Sequence, residues 1–292
     1  MDFGPFLLLA LMEGMAMAAV LALTAVGLSL VFGVMRVVNV AHGEFFMLGA
    51  VIAWFVTHYM PGPPAVGFAA ALVICPLIVG GIAALSDTLI LKRLKYDPEA
   101  TIVATIGLSY IFQQAALTFY GPDARPVLAP FDLRIQLPWF GYSGYKIAVV
   151  FAALAILMAV WVLITRTRAG LIMRATQLDR NTARAFGINV DRVYAAVFAL
   201  GAGLAAVAAV LIVPIQQAHY LMGHDPLLLS FIVVIIGGLG SLRGTLVAAL
   251  VIGLSDGVIS VFFSPTLAKI LATLLVAMVL VFRPQGLFGA KP

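Results

Sequence analysis

Across 292 residues the chain is 63% hydrophobic and 10% charged, with a mean hydropathy of +1.13, against roughly 45–50% and 25% in an ordinary soluble domain. That excludes a soluble globular protein and leaves no room for a sizeable soluble domain beside membrane segments. The net charge of +5 does not point to nucleic acid, because basic residues retained on the cytoplasmic side of a membrane protein produce the same excess.

A spanning helix takes about 20 mostly apolar residues. Windows of that kind predict spans near 7–32, 44–60, 64–91, 100–119, 146–165, 193–213, 227–240, 244–263 and 266–282. The expected fold class is all-α: a polytopic transmembrane helical bundle of eight or nine spans, forming one domain over 1–292. The first span has Asp2 and Glu13 near it but no Lys or Arg before Arg36. A cleaved signal peptide has the opposite charge, so this helix is expected to stay in the mature protein.

Between the first two spans, Gly33 to Glu44 crowds Arg36, Asn39, His42 and Glu44 among apolar residues. A charge at the bilayer centre costs about 2.5–3.5 kcal/mol on the insertion scale, so these groups must pair, line water or lie near the headgroups. Arg36 with Glu44 is the expected pair, and Gly33 and Gly43 bracket the stretch as where a helix breaks. The four residues are candidates for a translocation path or a polar bundle interior. A short cytoplasmic turn accounts for them equally well.

Further along, the single cysteine, Cys75, reads as buried filler, and Asp87 is expected to pair locally with Lys92 or Arg93. Gln113 and Gln114 lie at membrane depth and should face the bundle interior, bonding between helices or lining a path. The segment 121–145 holds Pro122, Pro126, Pro130 and Pro138 with Trp139, Tyr142 and Tyr145. Prolines discourage regular structure and aromatic rings suit the interface, so an ordered external loop is expected.

The segment 166–192 is an island of charge: Arg166, Arg168, Arg174, Asp179, Arg180, Arg184, Asp191 and Arg192. Residues 172–186 lack Gly and Pro, and Ala175, Leu178, Thr182 and Ala185 recur at helical spacing. This predicts one amphipathic helix, closed by Gly187, with Asn189 or Asp191 capping the next span. It should lie across the bundle ends, in the headgroups or in a partner's groove.

In the last third, the span at 227–240 is short and ends in glycines, and Gly237 to Thr245 loosely echoes Arg36 to Gly43, a weak sign of an internal repeat. Gly201 to Ala206 and Gly253 to Gly257 permit close helix approach. Asp256 is a further polar group at membrane depth. His58, His219 and His224 read as interface or external-loop residues without metal-site spacing. No nucleophile elbow, catalytic carboxylate pair or HExxH motif is present, so the chain is expected not to be an enzyme. Placing Arg36, Lys92 to Lys95, the island, Arg243 and the C-terminus inside leaves only Arg125, Arg134, Lys146 and Lys269 outside. The bias favours an external N-terminus and a cytoplasmic C-terminus.

The chain resembles the membrane subunits of branched-chain amino acid ABC importers, the LivH-type permeases. The resemblance is carried by Gly27 to Arg36 with Asn39, Ala41 to Glu44 and Gly49, by Arg174-Ala175, Ala185 to Ile188 and Asp191-Arg192, and by Gly237 to Ser241 with Gly244 and the closing Arg283-Pro-Gln-Gly-Leu. It implies an inner-membrane permease that translocates branched-chain amino acids or a similar small polar solute. It also implies a sister permease subunit, cytoplasmic ATPase subunits and a periplasmic substrate-binding protein, all meeting a chain embedded in the lipid bilayer. In that setting Arg174, Ala175, Leu178, Ala185, Phe186 and Gly187 would couple to the ATPase, which would bind ATP and Mg. This chain carries no cofactor of its own, and no Walker A sequence is present. The rival is an ion-coupled secondary transporter or channel working through Arg36, Glu44 and Asp256.

Overall fold

The computed structural model describes residues 3–283 and 286–288. Pro284 and Gln285 of the closing motif, and residues 289–292, lie outside the described residues. Each of the nine apolar windows falls on one helix: α1 (Phe3–Met35), α2 (His42–Tyr59), α3 (Pro64–Ser86, continued by a wide turn over Asp87–Leu91), α4 (Pro98–Phe119), α5 (Gly144–Arg166), α8 (Val190–Gln216), α9 (His224–Gly237), α10 (Leu242–Phe262) and α11 (Pro265–Phe282). Two shorter helices, α6 (Arg168–Leu178) and α7 (Arg180–Ala185), make up the charged island. Seven helices among the described residues are long and apolar enough to cross a membrane. The exceptions among the nine are α2 and α9, with 18 and 14 residues.

The bundle has two polar ends. One carries the island, and there Arg36, Lys95, Asp97, Gln177 and Asn181 surround a common hollow. The other carries the 121–145 segment, which folds into a two-stranded antiparallel ribbon, β1 (Arg134–Gln136) and β2 (Gly141–Ser143). The ribbon was not legible in the sequence, although the ordered loop was. Arg125 pairs through its backbone with Ala218 and lays its guanidinium over the rings of Trp54 and Tyr120, at 4.5 and 4.7 Å. The Tyr120 hydroxyl donates to the Ala218 carbonyl at 2.8 Å. Cations over aromatic faces and a satisfied phenol hold this end as one packed surface.

Helix order and direction show an inverted repeat. The unit α1–α4 is a long helix, an irregular return, a short helix, a long helix and an exposed helix; α8–α11 repeats it with every direction reversed. The packing follows the same symmetry: α1 packs on α10 as α8 packs on α3, while α1 and α8 cross each other. At that crossing a Cβ on Gly27 would come within 2.5 Å of the Gly201 carbonyl oxygen, so only hydrogen on each side allows the approach. The repeat pairs the return at 36–41 with that at 217–223, so the echo expected around Arg243 is corrected. Arg243 follows the second short helix, whereas Arg36 precedes the first. The glycine-rich stretches at 201–206 and 253–257 do pack closely, Gly253 against Ala18 and Gly257 against Gly14.

Two further expectations are overturned. Lys92 pairs with Asp191 at 3.1 Å, not with Asp87. Asp87 is buried and accepts a long hydrogen bond from the Tyr96 hydroxyl instead. The island is also not one helix over 172–186. Asp179, with φ −153°, breaks it, because its carboxylate caps α7 by accepting from the amides of Asn181 and Thr182. Asp is a strong N-cap, and this outweighs the absence of Gly and Pro. Hydrogen bonds from the Thr182 hydroxyl and then from the two amides hold the Asp179 carboxyl below the usual carboxylate range. Gly187 closes α7 at φ +83°, and Asn189 caps α8, both as expected.

Candidate translocation and coupling sites

α1 ends at the island, where Arg36 takes the left-handed conformation (φ 56°) and stops the helix. The chain then climbs back along α1 in irregular form. His42, the first residue of α2, meets the Thr24 carbonyl through Nε2 at 2.9 Å. By the 1.5 Å rise per residue, Thr24 lies about 16 Å from the island end of α1, half the thickness of a roughly 30 Å hydrocarbon core. α2 therefore starts at mid-depth and runs to the ribbon end. α9 also starts at mid-depth and runs to the island end.

Their N-termini meet. A Cβ on Gly43 would collide with the Gly223 carbonyl oxygen, and one on Gly223 with the Gly43 carbonyl oxygen. Broken helices meeting at the midplane place unpaired amide groups and positive dipole ends inside the membrane, where an irregular backbone is tolerated only beside protein or a cavity. Around the junction, Glu44 accepts from the Ser109 hydroxyl at 3.2 Å and lies 3.8 Å from His224 Nε2. The same His224 nitrogen lies 2.9 Å from Gln113 Nε2. The second carboxylate oxygen of Glu44 is buried with no hydrogen-bond partner.

This places the expected path residues apart. Glu44 and Gln113 share the junction, with Ser109 and His224 as members that sequence reasoning missed. His42 is buried beside it, and the buried Asn39 accepts from the Ala41 amide at 3.1 Å, holding the return in shape. Arg36 is exposed at the island end and forms no pair with Glu44, which corrects that expectation. The intervening residues climb the side of α1 instead of turning in place. Asp256 lies on α10, facing a separate cavity that it shares with His224, Asp225 and Lys269. His224, expected at the interface or in an external loop, lies at the junction instead, because nothing in the sequence announces that α9 begins halfway along the bundle.

At the island, Gly170 makes the sharp corner from α5 possible, since a Cβ there would collide with the carbonyl oxygens of Leu163 and Ile164. Beyond the corner, α6 and α7 enclose an apolar hollow of about 470 Å³ that includes Leu171, Ala175, Leu178, Thr182, Phe186 and Ile188. Leu178 is 82% and Phe186 84% exposed. Ala175 is half-buried in the same hollow; Ala185 is exposed and does not line it, and Arg174 folds back toward the carbonyls of Gly170 and Thr165. Gly187 has open space where its Cβ would be. Asp191 ties this elbow to the bundle by pairing with both Arg184 and Lys92 at 3.1 Å.

A multi-pass bundle with a junction of two short helices at its middle and, at one end, a charged elbow that exposes Leu178 and Phe186 has the build of a membrane transport permease. Residues 10–282 match the family described as branched-chain amino acid transport system / permease component, and the chain belongs to that family. It is the permease subunit of an ATP-binding-cassette importer, a multi-pass membrane chain with a transport role. Among its relatives, the High-affinity branched-chain amino acid transport system permease protein BraD of Pseudomonas aeruginosa is 26% identical, over 96% of this chain and 94% of the relative. The corresponding protein LivH of Escherichia coli is 27% identical, over 95% and 94%. A probable branched-chain amino acid transport permease protein LivH of Methanocaldococcus jannaschii is 24% identical, over 92% and 88%. No solved structure matches the chain significantly.

Proposed function

We propose that this permease moves branched-chain amino acids, or a similar small polar solute, inward across the plasma membrane. A substrate-binding protein delivers the solute at the ribbon end, and ATPase subunits that bind ATP and Mg dock at the island. A sister permease completes the path. The observation that carries the docking is the α6–α7 hollow, whose exposed Leu178 and Phe186 need a partner's apolar groove. The island faces the cytoplasm in this reading, since Lys92, Arg93, Lys95 and the island arginines share that end while Arg125, Arg134 and Lys146 lie at the other.

Transport then couples through the elbow. ATP-driven closure of the ATPase pair moves α6 and α7, and the move passes through Gly170 to α5 and through Asp191 to α3 and α8. Such coupling requires two discrete packings of the bundle. The junction of α2 and α9 is the place where the inverted halves rock against each other, and Glu44, Ser109, Gln113 and His224 line it.

The direct test is purification of the chain from its own membranes. An ATPase should accompany it, with hydrolysis stimulated by substrate-loaded binding protein; a chain that purifies alone and transports alone overturns the reading. A finer test addresses the elbow. The Asp191 pairs are a third to half exposed, so Asp191→Asn should lower stability by under about 1 kcal/mol. Uptake should nevertheless fall several-fold while ATP hydrolysis continues. Loss of both in equal proportion would show that Asp191 serves folding or docking and not transmission.

A further inference from the structure

On the other side of His224 from the Glu44 cluster, a cavity of about 470 Å³ opens between α1, α8, α9, α10 and α11. Small-molecule sites span about 300–1,000 Å³. Hydrocarbon from Met17, Val20 and Leu229 forms part of its wall, and Asp225, Asp256 and Lys269 face it from three different helices. Lys269 Nζ pairs with Asp225 Oδ2 at 2.5 Å. The Asp256 side chain has neither a hydrogen-bond nor an ion-pair partner among the described residues, and it is half-buried.

The charge balance is unequal. Apart from His219 and His224, which also line the cavity, two carboxylates face one ammonium; Lys269 and Asp225 are 41% and 64% exposed, and half-buried Asp256 is the one left without a partner. Within this lining no cation is paired with Asp256 among the described residues. A bare metal ion would supply the charge but leave the apolar wall empty, and an apolar molecule would fill the wall and leave Asp256 unmatched. An aliphatic α-amino acid satisfies both. Its ammonium meets Asp256, its carboxylate takes one of the remaining donors of the Lys269 ammonium, which has three, and its side chain lies against Met17, Val20 and Leu229.

We propose that this cavity is a zwitterion site within the permease itself, which holds an aliphatic amino acid in transit and screens it a second time after delivery. The proposal rests on the amino-acid reading given above. Binding must be weak, since a solute in a transport path has to leave as readily as it enters.

The test uses the complete wild-type importer complex in nanodiscs without the binding protein, and measures equilibrium binding of radiolabelled leucine. Saturable binding is expected, displaced by isoleucine. Leucinamide, which lacks the carboxylate, and 4-methylpentanoate, which lacks the ammonium, should each require about tenfold more, the loss of one charge-assisted contact. Asp256→Asn and Lys269→Gln should weaken leucine binding by about the same factor, while Asp256→Glu keeps the charge and most of the binding. Unchanged binding in Asp256→Asn, equal losses in Asp256→Asn and Asp256→Glu, or displacement by either analogue at the concentration that isoleucine needs overturns the proposal. ATP-driven leucine uptake by the same complex checks the underlying reading separately. Uptake without leucine binding overturns the cavity site alone; absence of both overturns both.

Discussion

Gly43→Ala is expected to remove most uptake and to destabilise the chain by about 2 kcal/mol, within the usual 1–3 kcal/mol for overpacking. The added methyl has nowhere to go. It would collide with the Gly223 carbonyl oxygen and approach Leu227 Cβ to 2.7 Å, so the relief must come from backbone at the junction of the two half helices. Separating α2 from α9 displaces Glu44 and His224 together, and with them the centre of the proposed path. Gly107→Ala is the matched control, because a Cβ on Gly107 in α4 meets nothing within 4 Å. That substitution should leave uptake unchanged and stabilise slightly, by the roughly 0.5–1 kcal/mol that separates Gly from Ala inside a helix. Thermal melting and uptake of both variants decide the matter, and equal behaviour would show that the junction is not where the bundle is tight.

The second large effect belongs to the island. The double substitution Leu178→Asp and Phe186→Asp should reduce ATP-dependent uptake to background without lowering the melting temperature of the permease. Both side chains are more than four-fifths exposed in the isolated chain, so they contribute little to its own fold. On docking, each buried large apolar side chain contributes about 1.5–3 kcal/mol. Losing two of them weakens docking about 100-fold or more, before the burial of two carboxylates adds its own penalty. Ala185→Asp, one residue from Phe186 but outside the hollow, should have a much smaller effect. Co-purification of the ATPase with each variant provides the measurement, and full retention by the double variant would place the docking surface elsewhere.

Much of the architecture is written in local composition. Nine apolar windows became nine helices because spanning segments must satisfy their backbone internally, and helix is the only local way to do so. Capping was equally local: Gly187 and Asn189 end and start helices as expected. The errors came from contacts made across the sequence. Arg36 and Glu44 are close in the chain and of opposite charge, yet the return between them climbs toward mid-depth, so they end far apart. His224 reads as an interface or loop residue because the groups beside it, Glu44 and Gln113, are far away in sequence. The island broke at Asp179 because a single strong cap outweighs a run of ordinary helix formers. The inverted repeat was not legible, since the expected echo of Arg36 to Gly43 in Gly237 to Thr245 joins segments on opposite sides of the short helices.

The central claim is that ATP hydrolysis by a docked partner, acting through α6 and α7, drives movement through this bundle. Proteoliposomes containing the complete complex, with substrate and binding protein outside and ATP inside, test it most directly when proton and sodium gradients have been collapsed. The expected result is accumulation that requires ATP and is lost with Leu178→Asp and Phe186→Asp. Accumulation that persists without the ATPase and follows an imposed proton or sodium gradient would contradict the account.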